Sequence, residues 1–454
     1  MRNRWEVNEK LRINSHIMQA EGRYINPGDI NLLQGYRIEV YATGLDVPSC
    51  MDFDESGDII LVESGCDTGR ARVIRLRNGE TELIAEEKRV PIIGVNCIGQ
   101  DIYISNKCHI TVIKADGEKQ DVISGLTSNG DYGNSNVVLG NDNKIYWGQG
   151  TVTNSGVVGT DNHWIKDYSQ EHDCPGSYIM LRGQNYATQN IMAAGEEMAY
   201  TGAFSPFGEI NLQYEIRKQS GKPSGSIMRA NRDGTQMEMV AWGLRYPSHI
   251  RFDINYRLFA ANQGYEDRGS RPIANAPDEF LLIQQGNWYG WPDYAGGEPV
   301  TLSRFRPEGG VQPELLLNNY PGVPQRPYAV FPPYSGIMGF DFNYNTSFGP
   351  YGDVYIAECG NSQTMNGGEV TPFASFGHRI SRIDMGTGGI TTFAINKSGF
   401  PSFVTGEGGF GGPVDIVFGP DGAMYVLDCG IASTNYASSY QPNTGVIWRI
   451  SRVN

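Results

Sequence analysis

Six segments of the chain repeat one pattern of apolar and polar positions. Each has a short apolar strand, a turn at Gly, Asp or Asn, and a second apolar strand that ends in a polar residue. Turns of this kind between strand-like runs are the strongest short-range signal for a β-hairpin. The segments are 51–65, 95–108, 137–150, 250–264, 340–360 and 416–430.

A second strand–turn–strand pattern follows most of these segments, at 73–85, 111–126, 226–244 and 380–395. Two hairpins supply four antiparallel strands, which is one blade of a β-propeller. The first pattern begins at residues 51, 95 and 137, so its first copies start 44 and 42 residues apart. That period fits the ~40–45 residues of a four-stranded blade. The sequence therefore predicts an all-β, six-bladed β-propeller.

The two ends of the chain predict how the propeller closes. After the sixth hairpin one strand remains, at 446–451, and its missing partner is the strand at 36–45. We expect these strands to share the last blade, which removes free sheet edges. The organisation is then an N-terminal extension, 1–34, and one propeller domain, 35–454, with insertions at about 151–225 and 265–335. The first insertion is long enough for a seventh blade, which remains an alternative.

Composition limits the class of partner. The net charge of −14 argues against binding to nucleic acid, which calls for a basic face, and favours a soluble monomer or small homo-oligomer. No run of ~18 apolar residues predicts a membrane span. The N-terminus lacks the apolar core of a signal peptide, so we expect a cytoplasmic protein, or a secreted one if a signal has been removed. The seven cysteines fit reduced thiols.

Two sets of polar residues fall at equivalent positions of the repeats. Cys50, Asn136, His249 and Asp415 lie in the first strands and predict a polar ring, with His249 and Asp415 as candidate catalytic residues. A second set ends the second strands, and its acidic and amide oxygens, converging on an axis, suit a hard cation such as calcium. In the alternative, these side chains cap sheet ends and bind loop backbone. The second set, at the ends of the second strands, is Glu63, Gln149, Gln263, Glu358 and Asp428.

The densest chemical signal lies between residues 263 and 305. Three aromatic residues occur within 288–291, and two carboxylates precede the strand before them. Glu279 together with backbone carbonyls near Tyr289 and Ala295 predicts a calcium site that staples the loop. The alternative is a packed aromatic loop with surface carboxylates.

Four stretches resemble the glucose/sorbosone dehydrogenase family. They are WGLRYP at 242–247, DEFLLIQQGNWYGWPD at 278–293, FGPDGAMYVLD at 418–428 and GVIWRI at 445–450. Members of that family are soluble six-bladed propellers that use pyrroloquinoline quinone (PQQ) and calcium to oxidise sugars. The resemblance runs from about residue 35 to 450 and implies the same fold and both cofactors.

The resemblance also implies roles for individual residues. Tyr132 stands where the family has its catalytic His, and a phenol, with a pKa near 10, is a poor base at neutral pH. Arg245 matches a cofactor-binding Arg, whereas Tyr246 replaces the Asn that follows it. His249 stands in place of Gly, and Gly412 in place of Arg.

The family's calcium ligands can be carried over in the same way. Backbone oxygens at Gly264 and Tyr265 match those that hold the calcium in contact with PQQ. The structural calcium pattern maps onto Glu279, Tyr289 and Ala295, with Glu298 nearby.

Three functions remain open from the sequence. The first is oxidation of a sugar or polyol, a small-molecule substrate, with Arg245 holding the quinone carboxylates and a group other than Tyr132 taking the substrate proton. The second is a metal-dependent hydrolase, lactonase or isomerase, with metal on Glu63, Glu358 or Asp428 and His249 as base. The third is a binding propeller without catalysis.

Overall fold

The computed structural model describes residues 22–66, 68–77, 79–193, 197–360, 376–432 and 440–453, with the backbone of short strands at Met18–Ala20, Met365–Asn366 and Glu369–Val370. The chain is nearly all β. Helical structure in these ranges is limited to Ser402–Thr405 and to 3₁₀ turns at Pro27–Asp29, His163–Lys166 and Ser303–Phe305. No helix in the described ranges is long and apolar enough to span a membrane.

Six antiparallel sheets, numbered here as blades 1 to 6 in chain order, form where the repeated patterns predict them. Blade 1 contains Pro48–Phe53, Ile59–Glu63, Ala71–Arg77 and Glu80–Glu87. Blade 2 contains Ile92–Ile98, Asp101–Asn106, His109–Ile113 and Lys119–Ser124. Blade 3 contains Asn134–Leu139, Lys144–Gln149, Ser226–Asn231 and Glu238–Trp242.

Blade 4 contains Tyr246–Phe252, Leu258–Gln263, Pro277–Ile283 and Ala329–Pro333. Blade 5 contains Ile337–Phe342, Val354–Glu358, Arg379–Ile383 and Ile390–Asn396, and blade 6 contains Pro413–Phe418, Met424–Asp428, Gly445–Arg452 and Tyr36–Leu45. The predicted fold class, a six-bladed β-propeller, is confirmed.

The predicted closure of blade 6 is also confirmed. The C-terminal strand Gly445–Arg452 pairs with the N-terminal strand Tyr36–Leu45, in a register that runs from Gly445 opposite Leu45 to Arg452 opposite Tyr36. The outermost strand of the last blade therefore comes from the start of the chain.

The insertion at 151–225 is not a seventh blade. Its described residues form two short ribbons, Ile179–Met180 with Ile216–Arg217 and Asn185–Gln189 with Met198–Gly202. Blade 3 resumes at Ser226, which pairs with Gln149 on the strand before the insertion. In the second insertion, Tyr294–Ala295 pairs with Glu298–Pro299.

The N-terminal extension attaches to the last two blades. Met18–Ala20 pairs with Arg23–Ile25, and Ile30–Leu32 adds a fifth strand to blade 5. The buried guanidinium of Arg23 forms an ion pair with Asp428 of blade 6, with Nη2 2.8 Å from Oδ2.

The chain divides into two compact units. The first consists of Met1–Ile102, Lys114–Gly117 and Ser335–Asn454, and the second of Tyr103–Ile113 and Glu118–Tyr334. In the first unit, apolar clusters around Trp448 and around Leu61 pack blade sheets against one another. In the second, one cluster joins blades 3 and 4, and another, with Trp242, Trp288 and Trp291, underlies the insertions.

Within each unit, polar side chains join the first strands of neighbouring blades. Each first strand lies at the edge of its sheet, so backbone groups on its outer side need partners from elsewhere. A buried or partly buried carboxylate or amide on one blade binds the backbone of the next blade's first strand. These contacts are Asp415 to Met51 N (2.9 Å), Asp52 to Cys97 N (2.9 Å), Asn136 to Ile250 N (2.9 Å) and Asp341 to Phe418 N (2.9 Å).

Two members of the predicted polar ring, Asn136 and Asp415, therefore hold neighbouring blades together. Asn136 also donates to the carbonyl of Ile250 at 3.0 Å, so its amide satisfies both backbone groups of that residue. The second oxygen of Asp415 accepts from Ile416 N at 2.8 Å.

We expect Asn136→Ala to destabilise the fold, because it leaves the buried N–H and C=O of Ile250 without partners, at about 1–3 kcal/mol for each group. The melting temperature of the purified variant measures this. Asn141→Ala, in the exposed turn of the same hairpin, is the control and should melt like the wild type. Equal melting of the two variants would contradict the proposed bridge between blades.

Candidate functional site

A small cavity of ≈ 10 Å³ lies beside blade 4, in the second unit. A space of that size holds about one water molecule or one ion. Six of the residues predicted to bind cofactor or metal are among those that line it: Arg245, Gly264, Tyr265, Glu279, Tyr289 and Ala295. Residues up to 50 positions apart in the chain thus meet around one small cavity.

Glu279 supplies the carboxylate of this cavity. It lies on the strand Pro277–Ile283 and is 6% exposed. Its Oε1 accepts from Gly296 N at 2.6 Å and its Oε2 from the amide of Asn262 at 2.8 Å. Burial raises the pKa of Glu279 to about 7, although these two hydrogen bonds oppose the rise.

Asn262 connects this carboxylate to the arginine of the site. While its amide nitrogen binds Glu279, its Oδ1 accepts from the backbone N–H groups of Arg245 (3.0 Å) and Tyr246 (3.1 Å). Asn262 is the penultimate residue of its strand and is buried. The position of Arg245 therefore depends on the same polar chain that orients Glu279.

The guanidinium of Arg245 is buried and is held mainly by Asn154. Nε lies 3.1 Å and Nη2 2.9 Å from Asn154 Oδ1, and the whole residue is 2% exposed. Asn154 Oδ1 also accepts from Glu266 N at 3.0 Å, and its amide donates to Glu266 O at 2.7 Å. Within the described chain, Arg245 Nη1 donates no hydrogen bond, so one buried cationic donor is left over.

Tyr132 lies against this guanidinium. The centre of the Arg245 guanidinium is 4.1 Å from the Tyr132 ring centroid, and Nη2 contacts the phenol oxygen. The same oxygen accepts from Arg268 Nη2 at 2.7 Å and lies 3.5 Å from Glu266 Oε2. Burial raises the pKa of Tyr132 above its usual value although both arginines oppose this, so the phenol keeps its proton at neutral pH.

Arg268 gathers three carboxylates around the phenol. Nη2 is 2.8 Å from Asp131, Nη1 is 2.5 Å from Asp161, and Nε contacts Glu266. Burial acts to raise the pKa of Glu266, but the charges of Arg245 and Arg268 outweigh it and lower the pKa overall. With its side chain 23% exposed, Glu266 is a charged carboxylate that a small molecule can reach.

Three further predicted residues lie at varying distances from this centre. The Tyr246 ring packs on Tyr132 with centroids 5.2 Å apart, so it belongs to the arginine cluster. Glu298 is half exposed and pairs with Arg304 at 2.5 Å, outside the cavity lining. His249 is buried on blade 4, and burial, with the charge of Arg251, lowers its pKa well below the usual value, which makes it a weak base.

The carboxylates predicted at the ends of the second strands are engaged with other groups. Glu63 pairs with Arg72, Glu358 with Arg379 and Asp428 with Arg23. Asp428 also accepts from the backbone N–H groups of Gly411, Gly412 and Gly430. In the described part of the chain, no group of three or more His, Cys, Asp or Glu side chains is arranged to hold a metal. Their role as metal ligands thus has no support from their bonding and stays a prediction.

Sequence reasoning missed four residues that build the site: Asn154, Asn262, Glu266 and Arg268. Asn154 lies in an insertion without any repeat, so no alignment of the hairpins marks it. Asn262 precedes Gln263 at the end of a second strand and reads as an ordinary strand residue. Glu266 and Arg268 stand just beyond the predicted Gly264 and Tyr265, and the run of charged residues at 266–268 was the one available signal.

The chain is similar to known quinoproteins. It is 24% identical over 176 residues to quinoprotein glucose dehydrogenase B from Acinetobacter calcoaceticus, a match that covers 39% of this chain and 29% of that protein. The matched part is therefore less than a third of the relative. No protein-family profile matches the chain.

Solved structures share the fold over almost the whole chain. The PQQ domain of pyranose dehydrogenase from Coprinopsis cinerea has a TM-score of 0.58 at 13% identity, covering 93% of this chain and 97% of that one. PQQ-bound aldose sugar dehydrogenase from Streptomyces coelicolor has 0.53 at 15%, covering 93% and 99%. The calcium structure of a Trichoderma reesei carbohydrate-active enzyme of family AA12 has 0.58 at 14%, covering 97% and 99%. The resemblance predicted from the sequence is confirmed.

The raised pKa of Glu279 predicts a pH-dependent stability in calcium-free buffer. The folded protein keeps a proton on Glu279 up to about pH 7, whereas the unfolded chain releases it near 4.5. This contribution is complete below pH 4.5 and is lost as pH rises through 7. Between pH 5 and 8 the melting temperature of the wild type should fall relative to that of Glu279→Gln.

The exposed Glu308→Gln is the matched control and should follow the wild type at every pH. Parallel curves for wild type and Glu279→Gln would show that Glu279 titrates as in the unfolded chain.

Proposed function

We propose that this protein is a PQQ-dependent oxidoreductase that oxidises a sugar or a related polyol. The observation that carries the proposal is the buried Arg245 guanidinium, whose Nη1 has no partner in the described chain. A buried cationic donor without a partner is costly, and an anionic ligand relieves that cost. The similarity to quinoprotein sugar dehydrogenases supports the choice of ligand.

The residues present fit this cofactor. PQQ is an anionic quinone with carboxylates, and a guanidinium is the side chain best suited to bind carboxylate oxygens. Arg245 would hold one carboxylate through Nη1, while Asn154 and Asn262 keep its side chain and backbone in position. When bound, PQQ supplies the two-electron acceptor for oxidation of an alcohol carbon.

Calcium is the second group that the site would hold. The cavity has about the size of one ion. The residues that line it provide oxygen donors of the kind that Ca²⁺ prefers, namely the carboxylate of Glu279 and the backbone carbonyls of Gly264, Tyr265 and Ala295. Gly264 is required by the packing, because a Cβ there would lie 2.3 Å from Pro277 O. Binding of Ca²⁺ would displace the proton of Glu279 and lower the pKa of this carboxyl.

Glu266 is the proton acceptor that the geometry favours. Tyr132 accepts hydrogen bonds from Arg245 and Arg268, so its own O–H is left to donate toward Glu266 Oε2. The phenol is therefore a donor rather than a base. The Glu266 carboxylate is ionised and partly exposed, and it would take the proton of the substrate hydroxyl directly or through Tyr132.

We expect purified protein with Ca²⁺ to bind PQQ with micromolar affinity or better, and to oxidise sugars with a dye as final acceptor. Quenching of tryptophan fluorescence reports binding, because Trp291 lines the cavity. Arg245→Ala should weaken PQQ binding at least ~30-fold, the effect of one charge-assisted pair. Arg257→Ala, a half-exposed arginine on the same blade, should leave it unchanged.

No quenching by PQQ up to ~100 μM in the presence of Ca²⁺ would overturn the proposal. The same would follow from equal affinities of Arg245→Ala and Arg257→Ala.

For the loaded enzyme, Glu266→Gln should lower kcat ~10²–10⁴-fold, the usual contribution of a general base, and leave PQQ binding intact. Tyr132→Phe should cost less, since it removes only the relay. Asp161→Asn is the matched control, because Asp161 also pairs with Arg268 but does not touch the phenol. Equal losses in Glu266→Gln and Asp161→Asn would assign Glu266 to holding Arg268 instead.

A further inference from the structure

The described residues of segment 178–216, which are 178–193 and 197–216 in the insertion of blade 3, expose an unusual amount of apolar side chain. This 178–216 surface includes six large apolar residues that are between 53% and 70% exposed: Tyr178, Tyr200, Ile210, Leu212, Tyr214 and Ile216. Single exposed apolar residues need no explanation, but a concentrated set of them marks an interaction site.

The six side chains project from one connected piece of backbone. The ribbon Asn185–Gln189 with Met198–Gly202 is tied to the following segment by Gly202 N to Glu209 O (2.8 Å) and by Asn211 N to Asn185 Oδ1 (2.7 Å). Farther along, Tyr214 N donates to Leu181 O at 2.9 Å, beside the ribbon Ile179–Met180 with Ile216–Arg217.

The ribbon has a buried face and an exposed one. On the strand Met198–Gly202, Ala199 and Thr201 are buried whereas Met198 and Tyr200 are exposed. On the opposite strand, the partly buried Tyr186 packs against the apolar cluster of the insertion. The outward apolar residues therefore cannot be part of the protein's own core.

The exposed area is large enough for a stable interface. Large apolar side chains that are about half uncovered each present ~100 Å². With Met192 and Met198, which are 50% and 52% exposed, eight such residues give ~800 Å², the share of one partner in a standard interface. The largest apolar patch of an ordinary monomer is ~300–600 Å².

Two features indicate a second copy of the same chain as the partner. Among the described residues, the strand Asn185–Gln189 pairs on one side only, so its other edge offers backbone groups to an identical antiparallel strand. The second feature is the exposed area itself, which matches the share of one partner in a standard interface.

We propose that the chain forms a two-fold symmetric dimer in which the 178–216 surface packs on its own copy. An interface of this type is self-complementary and closes on itself, so association stops at two chains. The dimer does not depend on the proposed redox function, and the test below uses the protein without added cofactor.

Light scattering behind size exclusion, with the full chain at about 10 μM, should give twice the monomer mass of 50.1 kDa. Tyr200→Glu combined with Leu212→Glu should raise the dimer dissociation constant at least ~10²-fold and give monomer, with an unchanged β-sheet circular dichroism spectrum. Tyr256→Glu, equally exposed on a turn of blade 4, should remain dimeric.

Hydrogen exchange on the wild type gives a second measurement that needs no variant. Peptides within 178–193 and 197–216 should exchange more slowly at 50 μM than after dilution to the monomer. The proposal would be overturned if the wild type were monomeric at 100 μM or if the double variant remained a dimer. It would also be overturned if the exchange rate of these peptides did not depend on protein concentration. Binding of monomer to lipid vesicles through this surface would also overturn it.

Discussion

The first strand of every blade lies at the edge of its sheet, and the backbone groups on its outer side must be satisfied by something other than a strand. Asn136, Asp341 and Asp415 meet this constraint by reaching across to the neighbouring first strand. A buried carboxylate or amide in such a position is stable only because backbone N–H groups surround it. The polar residues within the apolar strands thus link neighbouring blades. One of them, Asn136, fixes the first strand of blade 4, the blade beside which the candidate site lies.

The candidate site combines an incompletely satisfied buried guanidinium with a buried carboxyl and a cavity. Asp428, Glu358 and Glu63 are each matched by an arginine, and such pairs need no ligand. Arg245, which has Glu266 Oε1 3.6 Å from its Nη2, and Glu279 differ from these pairs in lining a cavity. Asn154 and Asn262 orient them, but one guanidinium nitrogen has no partner in the described chain, and the carboxyl has no cation beside it in the described contacts. A buried donor and a buried acid left in this condition next to a cavity are features of a binding site.

Tyr132 shows why a changed residue in a familiar scaffold has to be judged by its neighbours. Taken alone, a phenol in place of an imidazole suggests that the base has been lost. In the structure the Tyr132 phenol contacts Arg245 and Arg268 and donates a hydrogen bond to the Glu266 carboxylate. Tyr246 packs its ring against that of Tyr132, with the two ring centroids 5.2 Å apart.

The sequence by itself determined the blades, because each hairpin is a local pattern of alternating apolar residues closed by a turn that needs Gly, Asp or Asn. It also determined the closure, since a lone strand at each end calls for a partner. It predicted Arg245 and Gly264 as site residues through the family resemblance, and Glu279 from its aromatic loop as well. Only the tertiary structure decided which polar residues bind the backbone of a neighbouring blade and which are open to a ligand. Asn154 and Arg245 are 91 positions apart, and Tyr132 and Arg268 are 136 apart. Contacts over such separations depend on how whole blades and insertions pack, and no local pattern of residues encodes them.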